Sequence, residues 1–114
     1  MNSQANWLPL VSYFFGGAFL ANAIPHSVSG MTGHPFQSPF AKPPGQGLSS
    51  STVHVLWGFF NAVLAYLLIL RVGDFNPRST IDILVLAAGA LAISLFSARH
   101  FGQFHGGNTA PKNQ

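Results

Sequence analysis

Residues 53–70 read VHVLWGFFNAVLAYLLIL, and this run decides the fold. It has 18 residues and no Asp, Glu, Lys or Arg. As an α-helix it would rise about 27 Å, close to the ~30 Å hydrocarbon core of a bilayer. Its apolar residues do not alternate with period two, which argues against a strand. Two further runs match it in length: residues 7–24, WLPLVSYFFGGAFLANAI, and residues 81–98, IDILVLAAGALAISLFSA. Asp82 is their one charge. The pattern predicts an all-α membrane protein, a bundle of three transmembrane helices in a single membrane domain spanning residues 1–114.

The composition points the same way. Of 114 residues, 48% are apolar and 6% charged, against roughly 25% charged in an average soluble domain. Lys42, Arg71, Arg78, Arg99 and Lys112 face only Asp74 and Asp82. So few charges cannot keep a small water-soluble fold dispersed. Disorder is excluded by the high hydrophobicity. The basic residues are scattered, so nucleic acid is not an expected partner. With no cysteine, thiolate metal sites and thiol nucleophiles are ruled out. Eleven Phe suit a surface that faces lipid.

Punctuation sets the expected boundaries. Pro9 is tolerated in a first helical turn, and Pro25 predicts the end of the first helix. Ser49–Thr52 offer N-caps for the second, and Arg71 and Gly73 mark its end. Ser79 with Asp82 resembles a capping box for the third, and Arg99 and His100 close it. The expected layout is helix 7–24, loop 25–52, helix 53–70, turn 71–80, helix 81–98 and polar tail 99–114. The first run lacks a basic leader and is longer than a signal sequence, so it reads as a retained helix despite Ala21-Asn22-Ala23. The short turn predicts helices two and three as antiparallel neighbours. The loop of 28 residues is rich in Pro and Gly, and a connection of that length is often functional.

Helices in lipid associate through small residues and interhelical hydrogen bonds. Gly17 and Ala21 lie four apart on helix one, beside Asn22. His54, Gly58, Asn61 and Ala65 share one face of helix two, and Ala87, Ala90, Ser94 and Ser97 share one face of helix three. These faces are expected inward, with Asn22, Asn61, Ser94, Gly17 and Gly58 as the packing or pore-lining set. Asn22 and Asn61 are expected to bond a neighbouring helix or a backbone carbonyl.

Three crossings place His26, His34, His54, His100 and His105 at one membrane face. Imidazole is a common ligand for zinc, copper and iron, so His54 with His26, His34 or His100 forms a candidate metal or haem site. The spacings match no compact metal signature, no carboxylate lies near to orient an imidazole, and the simpler expectation is no cofactor. Asp74 and Asp82 fall at the opposite face, which excludes a Ser-His-Asp triad within one chain. In the loop, Phe36 and Phe40 with Lys42 form a candidate recognition element, able to rest on headgroups, fill a partner's groove or cap the bundle's own mouth.

Leu20-Ala21-Asn22, Pro25-His26, Gly30, Gly33, Pro35-Phe36-Gln37-Ser38-Pro39-Phe40-Ala41, Pro43-Pro44-Gly45, Leu48-Ser49-Ser50 and Val55-Leu56-Trp57-Gly58 resemble a group of small uncharacterised bacterial multi-pass membrane proteins. The resemblance covers under half the chain and implies no activity. It singles out the long loop and helix two as the distinctive part.

With no catalytic set in view, the chain reads as a non-enzymatic interaction or accessory module of the cell membrane. Its expected partners are the lipid bilayer and either a second copy or another membrane subunit. A histidine-based metal or haem protein and an oligomeric channel lined by Asn61, Ser94 and Asn22 are the alternatives. Arg71 and Arg78 around the short turn favour a cytoplasmic N-terminus.

Overall fold

A computed structural model describes residues 7–110. Three helices long and apolar enough to cross a membrane fill most of it. They are α1 (Trp7–Met31), α2 (Ser51–Tyr66), which continues through a π-helical stretch (Leu67–Val72), and α3 (Thr80–His105). Between α1 and α2, β1 (Phe36–Gln37) pairs antiparallel with β2 (Leu48–Ser49), Phe36 opposite Ser49 and Gln37 opposite Leu48.

The burial pattern is inverted relative to a water-soluble fold. The fully buried side chains include His54, Asn61 and Ser38, while Phe59 is 71% exposed and Leu56 66%. Large apolar groups outside and polar groups inside suit an apolar surrounding, in which the polar groups must find partners within the protein.

The order of packing differs from the sequence expectation. Helices α2 and α3 are not neighbours: α1 lies against both, and they have almost no direct contact with each other. Adjacent glycines of α1 explain how one helix serves two. A methyl on Gly16 would press against Ile69, at the end of the second span, and a methyl on Gly17 would overlap the Leu86 carbonyl of α3. The reverse contact is as close, since a methyl on Gly89 would overlap the Phe14 carbonyl. Backbone-to-backbone approach of this kind is what small residues permit in lipid. It draws both helices onto α1, and the turn between them is held there too: Tyr13 Oη accepts from the Asp74 amide at 3.0 Å.

Two helix ends move well beyond their expected positions. Helix α1 does not stop before Pro25 but runs six residues past it to Met31. Membrane helices tolerate an internal proline when neighbours compensate, and here the extra turns pack on α2. Ser27 lies against Gly58, and Gly30 against the backbone of Ser51 and Val55. The stop is Gly33 at φ +78°. The His34 amide donates to Ser29 O at 2.9 Å and the Gly33 amide to Gly30 O at 3.0 Å, a Schellman closure. The expected loop 25–52 therefore shrinks to residues 32–50.

Helix α3 likewise passes Arg99 and His100 to reach His105, ending on Gly106 at φ +78°. Much of the expected polar tail is thus helix, and residues 111–114 lie outside the described part. The extension occurs because Phe101 packs beneath the β1–β2 hairpin, against Phe36. At the start of α3, Ser79 Oγ accepts from the Asp82 amide at 3.2 Å. The Asp82 carboxylate accepts from the Asn76 amide at 3.0 Å instead of completing a capping box.

Candidate functional site: a histidine-stapled cap over the helix ends

The hairpin folds back over the end of its own bundle. Ser38, 1% exposed, organises it: its hydroxyl accepts from the amides of Phe40 and Ala41, both at 3.1 Å, and pairs with the Ser49 hydroxyl at 2.5 Å. The Ser38 carbonyl accepts from the Gly45 amide at 2.8 Å. Phe36 turns inward, 4.7 Å from Phe101 and 5.2 Å from His105 between ring centroids. Phe40 lies edge-on to Trp57 at 4.9 Å and is 61% exposed. The two loop phenylalanines therefore do different things, one anchoring the cap and one remaining at the surface.

Histidines from the helices fasten this cap. His54 Nε2 donates to the Phe36 carbonyl at 2.6 Å, His100 Nε2 to the Gly45 carbonyl at 2.7 Å, and His105 Nε2 to Gln37 Oε1 at 2.8 Å. His34 stands apart, exposed, with only Thr32 Oγ1 at 3.1 Å.

At the centre, His26 and His54 face each other with Nδ1 atoms 3.0 Å apart and ring planes within 4°. Parallel rings whose nitrogens approach that closely are not stacked face to face; they meet edge to edge through an N–H···N bond. The tautomers follow from the partners. A carbonyl can only accept, so the proton of neutral His54 sits on Nε2. Its Nδ1 then accepts from His26 Nδ1–H. This chain of bonds leaves His26 Nε2 as the unprotonated nitrogen.

One turn away on α1, Asn22 Nδ2 donates to Asn61 Oδ1 at 3.0 Å, and Asn61 Nδ2 donates to the Trp57 carbonyl at 2.7 Å. The two amides thus bond each other across α1 and α2, close to where Gly58 admits Ser27. Below the cap lies an open-sided cavity of about 300 Å³ lined by Asn22, His26, Trp57, His100, Phe101 and the exposed Phe96, with Ser38 and Pro39 at its rim. The Trp57 indole nitrogen is buried without a hydrogen-bond partner among the described residues.

The metal set read from sequence does not come together as four ligands. His26 and His54 spend Nδ1 on each other, His100 bonds the hairpin backbone, and His34 lies apart. Among the described residues no group of three or more His, Cys, Asp or Glu could hold a metal ion. The inward face assigned to α3 holds only in part, with Ala90 and Ser97 half-buried. Gly89 is buried, whereas Ala87 and Ser94 are exposed, because close approach to α1 occurs at Gly89. Ser94 therefore shares no lumen with Asn22 and Asn61.

Sequence reasoning missed Ser38 as a structural centre and Trp57 as an orphan donor. The Ser38-Pro39 pair, a turn signal, could have revealed the first.

No family model, curated protein or solved structure matches this chain.

Proposed function

We propose that the chain is a multi-pass protein of the cell membrane that works as an interaction module, self-associating through the outer side of α3. The observation that carries this reading is the position of the small residues on α3. Ala87, Ser94 and Ala98 form an exposed stripe around Leu91, on the side of the helix away from Gly89. Small residues are of little use against acyl chains, but they let a second helix approach closely. The exposed side of α2 differs, being built of Leu56, Phe59 and Phe60, as a lipid-facing surface would be. No catalytic role is assigned. The N-terminus is placed in the cytoplasm and the cap outside, following Arg71 and Arg78.

A photo-crosslinking residue at Ser94, with Phe59 as the control position, tests the association in native membranes. A product of twice the chain's mass, formed from Ser94 and not from Phe59, supports self-association. A specific product of another mass replaces it with an accessory role in a larger complex. Equal or no products from both positions would overturn the proposal. Because the chain has no cysteine, Gln46→Cys, exposed on the cap, reports orientation. Labelling by an impermeant reagent in intact cells is expected, and labelling only after lysis would reverse the topology.

A further inference from the structure

The cavity beneath the cap has the chemistry of a binding site, and we infer that it takes a neutral aromatic ring carrying a hydroxyl group. Three observations lead there. First, no Asp, Glu, Lys or Arg lines the cavity among the described residues, so a charged ligand would enter an apolar space without a counter-ion. Second, the walls include the rings of Trp57, Phe96 and Phe101. Aromatic walls around roughly 300 Å³ suit one ring and its substituents, at the small end of known ligand sites.

Third, the α1 wall offers acceptors, and the Trp57 N–H opposite is an unpaired donor. The bond from His26 Nδ1–H to His54, itself held by the Phe36 carbonyl, fixes His26 with Nε2 bare. The ring already spends its Nδ1 edge on His54, so Nε2 is the nitrogen left for the cavity. Asn22 spends its NH₂ on Asn61, and its Oδ1 has no hydrogen-bond partner among the described residues. His26 and Asn22 stand four residues apart on one face of α1. A ligand O–H would donate to His26 Nε2. Its oxygen would also offer an acceptor of the kind the buried Trp57 N–H lacks. Two histidines and a carbonyl in series thus do here what a carboxylate or carbonyl does behind many functional histidines: they set the tautomer and hold the ring in place.

The probe pair is para-cresol and its methyl ether, which lacks the O–H donor and is larger by one methyl. Protein in lipid nanodiscs is incubated with tritiated para-cresol, empty nanodiscs are subtracted, and each unlabelled compound competes. Unlabelled para-cresol is expected to displace the label saturably, and the ether to need about tenfold more, the worth of one hydrogen bond to a buried partner. His26→Phe should lose the same factor, and the ligand pair reads the contact even if that variant fails to fold. Displacement by the ether as effective as by para-cresol, or the absence of saturable binding, would overturn the inference.

Discussion

Replacing Gly89 with alanine sets helix propensity against packing. On propensity alone the change should stabilise α3 by up to about 1 kcal/mol. The structure predicts the opposite. The new methyl would overlap the Phe14 carbonyl oxygen and lie 2.7 Å from the carbonyl carbon and 3.1 Å from its Cα. Carbon pairs are most stable at about 3.5–4.0 Å, so α1 and α3 must separate by about 1 Å. The obstructing atoms are backbone and cannot rotate aside. Separation also lifts Gly17 from the Leu86 backbone, and a gap of 0.5–1 Å forfeits roughly a quarter to a half of each contact's attraction. Overpacking of this kind costs about 1–3 kcal/mol, and the net expectation is destabilisation of about 2 kcal/mol. Reversible unfolding in mixed micelles with increasing SDS, followed by far-ultraviolet circular dichroism, measures it. Ala88→Leu, which adds bulk on the exposed side of α3, should stay within about 0.5 kcal/mol of wild type. The double variant Gly17→Ala with Gly89→Ala should lose less than the sum of the singles, because the first methyl opens the space needed by the second. A Gly89→Ala protein as stable as wild type, or more stable, would refute the close approach of α1 and α3.

Three other expectations follow from single bonds. Asn22→Leu and Asn61→Leu should each destabilise by roughly 0.6–2 kcal/mol, and a double-mutant cycle in the same unfolding assay should show them coupled, since they bond each other at 3.0 Å. His54→Phe strands both the Phe36 carbonyl and His26 Nδ1; hydrogen exchange of residues 36–49 should rise while the middle of α3 stays protected. Tyr13→Phe removes the acceptor for the Asp74 amide and should cost about 0.5–1.5 kcal/mol, read from the same SDS titration.

The local signals in the chain were of unequal reach. Ser50 accepts from the Val53 amide at 3.3 Å and Ser79 from the Asp82 amide, so both helix starts were legible, because N-caps act within three residues. Helix ends were misjudged where a residue's ordinary preference yielded to packing. Pro25 resists the helix locally, yet Ser27 and Gly30 find contacts on α2 that carry α1 onward. Arg99 and His100 look like a terminus, yet Phe101 has Phe36 of the hairpin to rest on. The tail's polar composition concealed those contacts, which come from residues more than sixty positions away.

The sequence by itself determined three apolar spans, because hydrophobicity and span length are sums over neighbouring residues. It also placed every histidine at the cap end of the chain's path, because alternating crossings leave no other choice. Only the tertiary structure decided that α1 is the middle helix, since the choice depends on which glycine meets which backbone. It alone paired His26 with His54 across 28 residues and turned Ser94 outward. A helical face has a direction only when something packs against it, and Gly89 on Phe14 supplies that direction for α3.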